Sequence, residues 1–160
     1  MNDKGRTRRA LRKPALLDVN VLIALIDPAH EFHSPAHLWF EHNRHHGWAT
    51  CPITENGCLR ILSKPGYPFP GLTVSRVRDI LAELVAAEDH RFWPDSVSTL
   101  ESNQFDLTGA NSKNLTDLYL LRLATAFDGR LVTFDRGIRW QWVTGCGPDD
   151  LKVLPDTLAG

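Results

Sequence analysis

Apolar residues along the chain fall into short continuous runs and into stretches with helical period, and the two kinds alternate. Ala15 to Val19, read Ala-Leu-Leu-Asp-Val, has a buried-strand pattern, and Asn20 to Ile26 reads as the turn into a first helix. Ser34 and Pro35 start a second helix that carries Leu38, Trp39 and Phe40 and ends at His45-His46-Gly47. Trp48 to Cys51 is long enough only for a strand, after which Pro52 opens a helix with Ile53, Leu59 and Leu62. Lys64 to Gly71 is dense in prolines and glycines and must be a loop. Thr73 or Ser75 begins the next helix, whose apolar positions Val77, Ile80, Leu81, Leu84 and Val85 recur at the helical period.

Beyond it, Arg91 to Pro94 reads as a short strand, and the weakly patterned residues 95–113 suggest one short helix around Val97 to Phe105. Asn114 caps a helix with Leu120, Leu123, Ala124 and Phe127 on one face, ended by Asp128-Gly129. Arg130 to Phe134 and Leu151 to Leu154 are the last strands. Strands separated by helices imply β-α-β units, hence an α/β fold with a mainly parallel sheet and helices on both faces. No internal repeat is present.

A length of 160 residues fits one domain. Hydrophobic content of 42% and charged content of 23% are ordinary for a packed globular protein. The formal net charge of -1 neither demands nor excludes a polyanionic partner. Charge is uneven, however: Lys4, Arg6, Arg8, Arg9, Arg12 and Lys13 face only Asp3, so residues 1–14 read as a basic, flexible N-terminal arm ahead of a domain over 15–155. Cys51, Cys58 and Cys146 are odd in number and form no C-x-x-C pair, so they suggest neither a disulfide framework nor a zinc site and fit a reducing cytoplasm. The apolar run from Ala15 to Ile26 is interrupted by Asp18 and Asn20 and is about half the ~20 residues a membrane span needs.

In open parallel sheets the ligand site lies outside the carboxyl ends of the strands, so acids at those ends are the first candidates for chemistry. Asp18, Glu55, Asp117 and Asp135 all qualify. Asp18, set amid Ala-Leu-Leu and Val-Asn-Val-Leu-Ile, is the hardest to read as a solvated charge, because burying it alone would be costly. Each of the others, taken singly, reads equally well as a helix-start or turn residue. Four converging carboxylates raise one another's pKa unless positive charge joins them. A hard oxygen donor set without His or Cys points to Mg²⁺ or Mn²⁺, and such a site suits phosphodiester hydrolysis.

At this point the residues resemble a known family. Leu17-Asp18-Val19-Asn20-Val21-Leu22-Ile23 is similar to the first motif of PIN-domain ribonucleases. Thr54-Glu55-Asn-Gly-Cys-Leu-Arg60 resembles the second, Asp117 with Ala124 the third, and Thr133-Phe134-Asp135 the fourth. The segment His33 to Phe40 resembles the following helix of VapC-type toxins. Val19 departs from the Thr or Ser common in the family, which removes a hydroxyl beside the first acid. The resemblance spans about residues 15 to 155. It implies a three-layer α/β/α sandwich and an endoribonuclease in which Asp18, Glu55, Asp117 and Asp135 bind Mg²⁺ or Mn²⁺, with Asn20 and Thr133 supporting them. It also implies a structured RNA substrate such as tRNA or rRNA, a VapB-type antitoxin and a homodimer, with which the apolar residues of helices 34–46 and 72–88 are compatible.

Other features of the chain invite competing readings. His33 and His37, at i and i+4, invite a zinc site, but no H-E-x-x-H pattern surrounds them and helix-end roles are favoured. Trp140 and Trp142 suit stacking on bases or, more simply, the core. Arg60, Arg122, Arg136 and Arg139 suit RNA phosphates or plain surface charge. A haloacid-dehalogenase-type phosphohydrolase would have a second Asp where Asn20 stands, and a receiver domain would need paired early acids and a late lysine. A non-catalytic PIN-like RNA-binding module is the alternative from a different class.

Overall fold

The computed structural model describes residues 12–69 and 71–156. Five parallel strands form one sheet: β1 (Ala15–Leu17), β2 (Trp48–Thr50), β3 (His90–Phe92), β4 (Arg130–Thr133) and β5 (Leu151–Val153), in the spatial order β3-β2-β1-β4-β5. β1 is central and its three residues are buried on both faces, as expected of an apolar run. The helices are α1 (Val19–Ile26), α2 (His33–Asn43), α3 (Pro52–Leu62), α4 (Val74–Val85) and α5 (Leu115–Ala126).

Strand alternation divides the core in two. Leu17, Trp48 and Val132 face one side, where α1, α2, α3 and α4 contribute Val21, Leu22, Phe40, Cys58, Leu62 and Leu81. Leu16, Ala49 and Leu131 face the other, which α5 covers together with Trp93, Phe105 and Val143. At ~1.5–3 kcal/mol for each large side chain fully buried, these two clusters hold the layers together. The α/β/α sandwich expected from the sequence is therefore present, with the sheet entirely parallel and the helices divided four to one.

Local chemistry explains the element ends. β1 stops at Leu17 because Asp18 turns the chain and accepts the Val19 N–H as N-cap of α1. At the other end of α1, the carbonyls of Ala24 and Leu25 meet His33 Nδ1 at 2.7 Å and His37 Nε2 at 2.9 Å. These histidines thus complete a helix terminus through one ring nitrogen each, which is the helix-end role favoured over a zinc site. Gly47, at φ +92°, ends the 3₁₀ turn Arg44–His46 in a conformation that favours glycine. Asp89 accepts from Arg44 Nε at 2.7 Å and Trp48 Nε1 at 2.9 Å, and so ties the entry of β3 to β2 and the end of α2.

Two expectations are revised. Residues 95–113 contain no helix; they run as turns, pinned by a Phe105–Val143 bridge and by bonds from Asp106 N to Trp142 O and from Thr144 N to Gln104 O. Asn114 stands at the N-cap position of α5, but its Oδ1 accepts from Asn111 N in the preceding turn rather than from the helix. Of the basic arm, residues 1–11 lie outside the described residues. Lys13 is paired with Asp150, and the Pro14 carbonyl accepts from Arg130 N, so the chain joins the domain body at that point.

Candidate metal centre

All four acids lie at the carboxyl edge of the sheet. Asp18 follows β1, Glu55 sits in the first turn of α3 after β2, Asp117 in the first turn of α5, and Asp135 two residues past β4. Asp18 is 6% exposed. Its Oδ1 accepts from Val19 N and its Oδ2 from Thr133 Oγ1, both at 2.7 Å. The Thr133 hydroxyl also accepts from Asp135 N at 3.0 Å and from Asn20 Nδ2 at 3.3 Å. With its lone pairs so used, its proton has one destination, the Asp18 carboxylate. Asn20 closes the network by accepting from Phe134 N at 3.3 Å, which ties α1 to the end of β4.

Electrostatics separate three acids from the fourth. Burial pushes the Asp18 carboxyl above its ordinary value, opposed by the bonds from Thr133 and Val19 and reinforced by Asp135. Asp117 is pushed up to about 7, first by burial, then by the charges of Asp18 and Asp135 and a hydrogen bond with Asp135. These three therefore crowd one another. Glu55 does not contribute to either shift; its Oε1 instead accepts from Thr50 Oγ1 at 2.6 Å. Among the described residues no three His, Cys, Asp or Glu side chains already close into a coordination shell. The oxygen-only donor set and the mutual repulsion of Asp18, Asp117 and Asp135 nevertheless fit a hard divalent cation.

The surrounding candidates take other parts. Arg122 turns to Gln104 Oε1 and Thr125, and Arg136 donates to the Pro155 carbonyl. Arg139 lies over the Trp142 ring at 5.9 Å, while Arg60 is exposed on α3. Trp140 and Trp142 are half-buried and pack against the α5 side of the core, in accord with the simpler reading. Sequence reasoning missed Thr50 and His90, which contact Glu55 directly or through one atom. A threonine ending a buried strand beside a strand-end acid, as Thr133 does, was the available signal for Thr50.

An all-parallel sheet sandwiched by helices, with acids along its carboxyl edge, is the architecture of a PIN-like α/β domain. No family model matches the chain. Ribonuclease VapC44 of Mycobacterium tuberculosis (strain ATCC 25618 / H37Rv) is 45% identical over 141 residues, which span 88% of this chain and 99% of that protein. Ribonuclease VapC39 of the same strain is 42% identical over 125 residues, 78% of this chain and 90% of its own. Ribonuclease VapC29 is 35% identical over 123 residues, 77% and 86% respectively. The chain belongs to the VapC family of PIN-domain ribonucleases, the toxins of VapBC toxin–antitoxin pairs.

Proposed function

We propose that the protein is a Mg²⁺- or Mn²⁺-dependent endoribonuclease that acts in the cytoplasm and cuts structured RNA, such as tRNA or rRNA, within an unpaired loop. The observation that carries this reading is the mutual crowding of Asp18, Asp117 and Asp135 at the sheet edge. Only positive charge lets three such carboxylates ionise together at neutral pH. Asp18, Asp117 and Asp135, with Glu55, would hold the cation, and Asn20 and Thr133 support them. When bound, a divalent ion neutralises phosphate charge and lowers the pKa of an attacking water.

The protein's own part is to orient oxygens and to manage one proton. Thr133 and the Val19 N–H hold both Asp18 oxygens in one rotamer and favour its ionised form against the effect of burial. The hydrogen bond between Asp117 and Asp135 holds a proton when the pair is crowded, and that proton leaves as positive charge enters. Cation affinity therefore rises with pH up to and through about 7. An unpaired loop is the expected target because only splayed bases can be read. Purified protein should cleave tRNA or rRNA with Mg²⁺ or Mn²⁺, stop in EDTA, and lose cleavage on Asp18→Asn. Cleavage that survives both EDTA and Asp18→Asn overturns the reading.

The partners follow from the same reading. An Arg or Lys of a VapB-type antitoxin inserted among the acids would take over the cation's electrostatic role. An apolar groove of about 520 Å³ along α2, lined by Pro35, Leu38, Trp39, Leu154 and Pro155, suits the rest of such a partner. Val74 on α4 is 59% exposed, which supports a two-fold homodimer in which that helix takes part beside the groove. Light scattering should give twice 18.0 kDa for the toxin alone, and a co-expressed neighbouring small protein should co-purify and suppress cleavage. A monomer that no small neighbour binds overturns both.

A further inference from the structure

Thr50 ends β2 and is fully buried. Its Oγ1 lies 2.6 Å from Glu55 Oε1 and 2.8 Å from His90 Nε2. A hydroxyl carries one proton, and an ionised carboxylate can only accept. Thr50 therefore donates to Glu55, and His90 Nε2 donates to Thr50 in turn only when that nitrogen carries a proton. The Val85 carbonyl also engages the ring and can only accept, so the ring serves both neighbours as a donor when both nitrogens are protonated, and in its neutral form Nε2 is a second acceptor beside Glu55 for the single Thr50 proton. The ring is itself placed from two sides: it packs 4.6 Å from the Trp48 ring, and the preceding Asp89 is fastened by Arg44 and Trp48.

The arrangement repeats one already described. Thr133, the fully buried last residue of β4, donates to Asp18 at 2.7 Å. β2 and β4 flank β1 on its two sides, so a buried threonine on each neighbour of the central strand orients one acid. Glu55 has three rotatable side-chain bonds, and a 2.6 Å hydrogen bond to one oxygen selects one of its rotamers. Its other oxygen, Oε2, makes no hydrogen bond among the described residues.

We propose that Thr50 and His90 are positioning residues, which hold the Glu55 carboxylate by Oε1 and leave Oε2 for the divalent cation shared with the aspartates. This rests on the metal-nuclease reading above. Outer partners of metal ligands are typically worth about 10–100-fold in metal affinity. Titration calorimetry of the full chain with Mn²⁺ alone should therefore show binding weakened about 10-fold or more by Thr50→Val and largely restored by Thr50→Ser. In a Glu55→Gln background, Thr50→Val should add less than about 2-fold, because a residue acting through Glu55 has nothing left to act on. ¹⁵N chemical shifts should show a proton on His90 Nε2, and His90→Phe should weaken Mn²⁺ binding should Thr50→Val fail to fold.

The outcomes separate the two ideas. If Glu55→Gln weakens Mn²⁺ binding but Thr50→Val does not, or the two effects add in full, the positioning role is overturned and the nuclease reading stands. If His90 carries its proton on Nδ1 alone, or His90→Phe leaves affinity unchanged, the part assigned to His90 is overturned. If neither Glu55→Gln nor Asp18→Asn alters Mn²⁺ binding, the metal site itself is wrong, and this inference fails with it.

Discussion

Replacing Asp117 with Asn is expected to abolish function and stabilise the metal-free protein at the same time. Cleavage should fall by at least about 100-fold, since even the outer partners of metal ligands are worth ~10–100-fold in affinity or activity. Stability in EDTA should move the other way. The Asp117 carboxyl is raised from 3.8 to about 7 in the folded protein, by burial first and by Asp18 and Asp135 next. Below 3.8 it is protonated in both folded and unfolded chains and has no effect. As pH rises, the unfolded chain ionises first, so the folded state loses stability progressively up to about 7, and the full penalty applies above that. An Asn at this position carries no such penalty.

The full shift would correspond to ~4 kcal/mol at ~1.36 kcal/mol per unit. Asp117 is half-buried, and water and salt screen part of the repulsion, so a gain of ~1–2 kcal/mol is expected at pH 8. In a domain of this size that raises Tm by about 2–8 °C. Thermal melts in EDTA should show the Asp117→Asn variant ahead at pH 8 and level with the wild type near pH 4. Saturating Mn²⁺ should reverse the order, because it stabilises only the protein that binds it. A variant less stable than the wild type in EDTA at pH 8 would show that this carboxylate is not crowded.

The positions of the four acids were legible because each follows from a one-dimensional signal. Asp18 interrupts an apolar run, and Asp117 and Asp135 stand a fixed step beyond a helix start and a strand end. The sheet order and the split of helices between its faces were legible only as a class, since periodicity says that a face is buried but not against what. What escaped is what depends on contacts between distant residues. The helix expected at 97–105 is absent because Phe105 pairs with Val143 and the flanking backbone bonds go to the turn around Trp142. Such pairing overrides a weak local pattern. Thr50 and His90 are 40 residues apart and meet only because β2 and β3 lie side by side. The hydrogen bond that Glu55 accepts from Thr50 is likewise invisible in spacing.

The second large effect is expected at Gly57, where α3 approaches α1. A Cβ there would lie 2.6 Å from Cγ2 and 3.3 Å from Cγ1 of Val19, distances that require something to shift. Alanine is the better helix former by ~1 kcal/mol, so propensity alone favours Gly57→Ala. Packing opposes it. Val19 is β-branched, held by its helix in one strongly preferred rotamer, and cannot swing its methyl groups aside. Overpacking of this kind costs ~1–3 kcal/mol, and the clash is severe enough to place the net change at ~1–2 kcal/mol of destabilisation. The wedge also falls in a sensitive place, because Val19 follows Asp18 and Gly57 lies two residues after Glu55. Parting α1 from α3 moves those carboxylates relative to each other, and a displacement of ~1 Å can reduce a rate by ~100-fold. Denaturant melts and cleavage assays of Gly57→Ala, Val19→Ala and the double variant test this as a cycle. Val19→Ala removes both clashing carbons and should recover stability in the Gly57→Ala background, with a coupling of at least ~1 kcal/mol. Val19→Thr keeps the branched shape and should not, which separates the steric effect from any contribution of a hydroxyl at that position. Gly57→Ala with wild-type stability and activity would mean that the two helices do not approach as closely as the Val19 contact requires.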